Sequence, residues 1–266
     1  LPPTKRSRKK EQRPDGEHTT PRGIYLLPNL FTTLNLFGGF YSIIAGINGR
    51  WEHAAVAILV SILFDGLDGR VARMTGTTSR FGVEYDSMAD LVSFGVAPAL
   101  LLYNHFLHDM SRLGWLASFL FVACVALRLA RFNLQHAKEE KVSFTGLPSP
   151  GGAGMAASLT LFEVSGGLGE MRTDWIVLLI AYSLAFLMIS TIPFRSLKSF
   201  DLKRPRPFQY LVFLLLALVV GAMAFEPVLF FTTLFFLYMV SGPIEYLFSA
   251  MRGRRAHQKP HSVEGT

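Results

Sequence analysis

The sequence predicts an all-α, polytopic membrane protein with about eight transmembrane helices, and three observations carry that reading. Half of the 266 residues are hydrophobic and only 17% are charged, against about 25% in soluble domains. Long apolar runs recur between Gly23 and Met251 with short polar breaks, and eight of them approach or reach the roughly 20 residues that cross a bilayer. The basic residues are distributed unevenly over those breaks, as membrane orientation requires.

Residues 1–22 form a basic N-terminal arm with Lys5, Arg6, Arg8, Lys9 and Lys10. The apolar stretch behind it is too long for a cleaved leader and has no small-residue cleavage site. The arm is therefore expected to remain, fixing orientation and touching anionic headgroups. Spans are expected at 24–47, 53–70, 84–106, 113–134, 151–166, 174–192, 207–224 and 228–249. The fifth is weakest, diluted by Gly151, Gly152, Gly154, Gly166 and Gly167 and interrupted by Glu163. Glu226-Pro227 divides the last two, since proline ends a helix and glutamate prefers the water interface.

With the N-terminus inside, 23 Lys and Arg fall in cytoplasmic segments, whereas Arg50, Arg112 and Arg172 are the 3 outside. Both termini are thus expected in the cytoplasm, with 251–266 as the tail. The net charge of +7 lies largely in the two tails and reads as membrane-surface basicity; no nucleic-acid partner is expected. The lone Cys124 excludes an internal disulfide and a cysteine metal cluster. No Walker loop, G-x-G-x-x-G or zinc spacing occurs.

The chemistry concentrates in Asp65-Gly-Leu-Asp68-Gly69-Arg-Val-Ala72-Arg73, followed by Gly82, Asp86 and Asp90. Asp65 and Asp68 are three apart and Asp86 and Asp90 four apart, so each pair shares a helix face. The pairs fall at the cytoplasmic ends of spans two and three, across a loop containing Gly76 and Gly82. Two antiparallel helices would gather four carboxylates near the membrane surface. Their repulsion in a low dielectric is best relieved by one or two divalent cations. Oxygen-only ligands favour Mg²⁺ or Mn²⁺ over zinc or copper, and paired metals suit displacement at phosphorus. Gly69 allows close backbone approach, and Arg73 offers a planar pair of donors to phosphate.

These residues resemble the signature of the CDP-alcohol phosphotransferase family, D-x-x-D-G-x-x-A-R followed by G-x-x-x-D-x-x-x-D, with every fixed position filled. The resemblance implies a six-helix catalytic core over 23–192, two additional transmembrane helices over 193–250, and a homodimer. It implies that Asp65, Asp68, Asp86 and Asp90 ligate two divalent ions and that Asp90 is also the base for the acceptor hydroxyl. It further implies that Gly69, Arg73 and Ser79 contact the CDP moiety. Pro28-Asn29-Leu30-Phe31-Thr32 resembles the family segment near the donor's phosphates, which adds Asn29 and Thr32; a helix start explains Pro28-Asn29 equally well.

The stretches from Asp86 to Pro98, Arg128 to Asn133 and Phe144 to Pro150 resemble the bacterial membrane-type phosphatidylserine synthases of that family. The implied substrates are CDP-diacylglycerol and L-serine, and the implied location is a bacterial inner membrane with a cytoplasmic site. Serine's carboxylate calls for a cation, and Arg128 and Arg131 lie at the cytoplasmic end of span four, with Asn133 as a partner for the amine. Positive-inside anchoring accounts for the two arginines as well, and helix capping for Asn133. Gly146 and Pro148 are expected to shape the turn into span five. Arg195, Lys198 and Lys203 read as headgroup anchors. His105 and His108 have metal-like spacing, but no acidic partner is evident in the sequence.

Other alcohols of the same family (glycerol phosphate, inositol phosphate or choline) remain alternatives for the acceptor. A cation transporter using the aspartates is the alternative from a different class, and a CDP-lipid-binding scaffold is the non-catalytic one.

Overall fold

The computed structural model describes residues 26–76, 79–137, 146–167, 174–192, 194 and 226–257, and every regular element among them is helical. Helices α1 (Leu26–Ile47) and α2 (Trp51–Thr75) form an antiparallel pair. Between them, Gly49 takes φ +70° and the Arg50 amide donates to the Ala45 carbonyl. Gly76 ends α2 in the left-handed conformation, its amide returning to the Ala72 carbonyl, a closure that favours glycine.

A helical run of 55 residues follows, Arg80–Leu134. It opens with α3 (Arg80–Asp90), passes through a π-helical segment (Leu91–Val96), α4 (Ala97–Leu102) and a second π segment (Tyr103–Leu107). It turns at Ser111, a non-glycine residue with φ +48°, into α5 (Ser111–Ala137). Pro98 accounts for the first departure from α geometry. It has no N–H to give to Phe94, and the Ala97 amide instead reaches back five residues to the Val92 carbonyl. Extra residues in a helical turn recur where a functional side chain must be aimed.

Helices α6 (Ser149–Val164), α7 (Asp174–Ile189) and α8 (Pro227–His257) complete the described bundle. The start of α8 at Pro227 is where Glu226-Pro227 predicts a break. Its continuation to His257 takes helix into the stretch expected to be tail. The expected span 207–224, the arm 1–22 and Arg195, Lys198 and Lys203 lie outside the described residues.

Among the described residues, three helical stretches are long and apolar enough to cross a membrane, Pro28–Ile47, Arg80–Leu134 and Pro227–Ile244, with Asp174–Ile189 a shorter apolar helix. Large side chains such as Phe37, Phe40, Leu63, Phe119, Leu179 and Phe186 face outward, as lipid-facing residues do. Inside, small residues predominate where α2, α4 and α6 meet, among them Ala54, Ala55, Ala97, Ala153 and Ala157. Without a hydrophobic drive inside lipid, close backbone approach is what holds helices together. Larger side chains fill the space between α5, α6 and α7, including Phe121, Val125, Met155, Leu184 and Met188.

Two of the glycines that weaken the fifth span in sequence, Gly151 and Gly154, have a packing role. Tyr238, Phe235 and Thr232 of α8 lie against Gly151, Gly154 and Ser158 of α6, and Thr232 Oγ1 donates to the Ser158 carbonyl at 3.0 Å. Gly146 takes φ +84°, and a Cβ there would meet the Met188 carbonyl. Its amide and that of Leu147 cap the end of α7 through the Ile192 and Leu187 carbonyls. Pro148 then starts α6, which is the expected turn.

Candidate active site

Helix α2 sets Asp65 and Asp68 about one turn apart, and α3 does the same for Asp86 and Asp90. One carboxylate oxygen from each of Asp65, Asp68 and Asp86 lies within 4.8 Å of the others. Asp90 stands outside this close group, buried at 8% exposure and bound to a different partner. Gly82, expected in the loop, belongs to the first turn of α3, because Ser79 caps that helix by accepting from the Gly82 amide at 3.0 Å.

The cluster is braced from α1. Thr32 Oγ1 lies 3.0 Å from Asp68 Oδ2, to which it donates, and 3.2 Å from the Pro28 carbonyl. Asn35 Nδ2 donates to Asp90 Oδ1 at 2.9 Å. Neither Gly38 nor Gly39 has space for a side chain: a Cβ on Gly38 would strike Ser61 Oγ, and one on Gly39 would stand 2.6 Å from the Ser93 Cα. The absence of those two side chains lets α1 come close enough to support both acid-bearing helices.

Like charges within 4.8 Å of one another repel by about 3.5 kcal/mol or more per pair at an effective dielectric of about 20. Asp86 Oδ1 is moreover buried with no hydrogen-bond partner, which a buried carboxylate oxygen rarely tolerates. Three converging carboxylates, one with an unspent acceptor, fit a hard divalent cation. Asp90 adds a fourth carboxylate one turn along α3 from Asp86.

Residues expected to touch the CDP moiety gather around the same end. The Arg73 guanidinium lies over Gly69, its nitrogens 3.7 and 3.9 Å from where a Cβ would be. Asn29 Oδ1 is 3.8 Å from the corresponding point on Gly82, which brings Asn29 and Ser79 together at the start of α3. The Ser79 hydroxyl is already used as the helix cap.

The three residues expected to hold serine differ in what they have left to offer. Arg128 Nη1 donates to Ser149 Oγ at 2.8 Å, while its buried Nε has no partner. Its guanidinium lies within electrostatic reach of Asp90 and of the Tyr238 phenol. Arg131 Nη2 reaches the Ser190 carbonyl at 3.4 Å, and Asn133 Nδ2 donates to Ser87 Oγ at 3.0 Å, tying α5 to α3.

Sequence reasoning missed Asn35, Ser93 and Tyr238. A polar residue between Leu34 and Leu36 inside an apolar span is the signal that marks Asn35; Tyr238 carries none. Sequence reasoning also saw no acidic partner for His105, yet its Nε2 lies 2.6 Å from Glu163 Oε2, a pairing that depends on two helices far apart in the chain.

Comparison with known proteins gives the same region weight. Residues 25–187 match the family model described as CDP-alcohol phosphatidyltransferase. A Helicobacter pylori (strain ATCC 700392 / 26695) protein named CDP-diacylglycerol--serine O-phosphatidyltransferase is 35% identical over 227 residues, 85% of this chain and 92% of its own. A Mycobacterium leprae (strain TN) protein of the same name is 33% identical, over 83% of this chain and 74% of its own. One from Methanocaldococcus jannaschii, also so named, is 46% identical over 132 residues, 50% of this chain and 59% of its own.

Proposed function

Because the chain belongs to the CDP-alcohol phosphatidyltransferase family, we propose that it transfers the phosphatidyl group of CDP-diacylglycerol to the hydroxyl of L-serine, giving phosphatidylserine and CMP. Serine as acceptor is supported by relatives that align over most of the chain and are named for that reaction. The observation that carries the chemistry is the convergence of Asp65, Asp68 and Asp86 within 4.8 Å, with Asp90 one turn further along α3.

Asp65, Asp68, Asp86 and Asp90 would hold two divalent cations, Mg²⁺ or Mn²⁺, which when bound offset the pyrophosphate charge and ease departure of CMP. Gly69 leaves room beside α2 for the cytidine diphosphate, and Arg73 offers it paired N–H donors. Asn29, Thr32 and Ser79 border the same space, Thr32 also steadying Asp68. Asp90 takes the proton from the serine hydroxyl as its oxygen bonds to the β-phosphorus, and the bond from that phosphorus to the CMP oxygen breaks in line. Arg128 meets the serine carboxylate, its Nε being unspent, and Arg131 and Asn133 shape the surrounding wall.

This reading includes a catalytic core over 23–192 and two further transmembrane helices over 193–250. The arm 1–22, the tail 251–266 and the site all face the cytoplasm of a bacterial inner membrane, and the protein works as a homodimer. The test is CMP release by purified protein from CDP-diacylglycerol with L-serine, glycerol phosphate, inositol phosphate or choline, before and after chelation. Release with serine alone, lost on chelation and restored by Mg²⁺ or Mn²⁺, is the expected result. Preference for another alcohol overturns the acceptor, and release that survives chelation overturns the cation site.

A further inference from the structure

Asn35 belongs to none of the motifs that mark the site, yet it is 0% exposed at the level of the acids. Its Nδ2 donates to Asp90 Oδ1 at 2.9 Å. Its backbone carbonyl accepts from Ser93 Oγ of the first π segment at 2.8 Å and shares the Ser61 hydroxyl of α2, at 3.1 Å, with the Ala57 carbonyl at 3.0 Å. One residue of α1 is thus bonded to both acid-bearing helices and to Asp90 itself. Its Oδ1 is buried with no partner, a cost that a leucine of similar size would avoid, and the one side-chain bond set against that cost is the donation to Asp90. A carboxylate can only accept, so an ionised Asp90 fixes which end of the amide faces it.

We infer that Asn35 is a positioning residue for Asp90: by occupying Oδ1 it fixes the carboxylate's rotation and presents Oδ2 to the acceptor hydroxyl. The inference rests on the proposed role of Asp90 as proton acceptor. A base must stand about 2.6–3.2 Å from the atom whose proton it removes, and a misplacement of about 1 Å costs around 100-fold. The hydroxyls of Ser61 and Ser93 fix the backbone from which Asn35 reaches, so its aim does not depend on one side-chain torsion alone.

The experiment uses the full chain in detergent with Mg²⁺, CDP-diacylglycerol and L-serine. Asn35→Leu is expected to lower kcat about 10- to 100-fold while both KM values, and binding of CDP-diacylglycerol without serine, stay within about twofold. Asn35→Ala is measured beside it, so that the test stands if the leucine variant does not fold, as judged by thermal unfolding. Wild-type kcat in a folded variant overturns the inference. So does a loss confined to KM, or one that excess Mg²⁺ restores. Asp90→Asn separates the two levels: if it still turns over, the role of Asp90 falls. If it is inactive while Asn35→Leu is unaffected, only the role of Asn35 falls.

Discussion

His105 Nε2 and Glu163 Oε2 stand 2.6 Å apart, joining the second π segment to the end of α6, with the Trp51 ring 4.7 Å from the imidazole. His105 lies 15 residues beyond Asp90, about 22 Å along a helix, so this clasp closes the end of the bundle opposite the aspartates. It gathers α2, α6 and the long helical run where none of them carries chemistry. Glu163→Ala is expected to destabilise the folded protein by about 1 kcal/mol, read as a fall of a few degrees in thermal unfolding, while kcat and both KM values stay at wild type. A variant that unfolds as the parent does would show that the pair contributes nothing.

Thr32 reaches Asp68 from α1 at 3.0 Å. Partners behind a metal ligand typically contribute 10- to 100-fold in metal affinity or activity (about that range across known sites). Thr32→Val keeps the shape and removes the donor. The concentration of Mg²⁺ giving half-maximal CMP release should rise by about 10-fold or more, which a metal titration at saturating substrates measures.

Gly39 meets the Ser93 backbone with no space for a methyl group. Gly39→Ala therefore forces α1 away from the first π segment, at a cost of about 1–3 kcal/mol. Lower thermal stability together with reduced turnover is expected, because the same displacement carries Asn35 and Thr32 off their acids. A Cβ on Gly46, also in α1, would meet nothing within 4 Å, so Gly46→Ala should leave turnover unchanged and raise stability, by up to about 1 kcal/mol.

Arg128 differs from a positive-inside anchor in having a buried, unpaired Nε. Lysine keeps the charge but loses the fork of donors. Arg128→Lys should raise the KM for serine about 10-fold or more, as expected for loss of a charge-assisted hydrogen bond, with the KM for CDP-diacylglycerol unchanged. Equal effects on both substrates would assign Arg128 to packing.

The positions of these helices were legible because hydropathy is local: α1, α5, α7 and the start of α8 lie close to where apolar runs and breakers put them. The aspartates were legible for a related reason, since spacing by three or four assigns a helix face without tertiary information. What could not be read was anything set by the rotation of one helix against another. Asn35 facing Asp90, Thr32 facing Asp68, Tyr238 beside Gly151 and Glu163 beside His105 are all meetings across dozens of residues. Gly151 and Gly154 looked like dilution of a span because the side chains that cover them, Tyr238 and Phe235, belong to the last helix. The loop expected to include Gly82 ends earlier, at the Ser79 cap, whose signal is local and was available.

The π segment at Leu91–Val96 makes the aim of the acids a matter of residue count. Each residue in an α-helix turns the chain by about 100°. Removing one residue from that segment would bring the run back toward α geometry and swing Asp86 and Asp90 around the axis, with the hydrophobic anchor beyond Pro98 left in place. Such a shortened chain would retain all four aspartates and still point them elsewhere, so under the proposed function chain length across this turn matters as much as the identity of the aspartates.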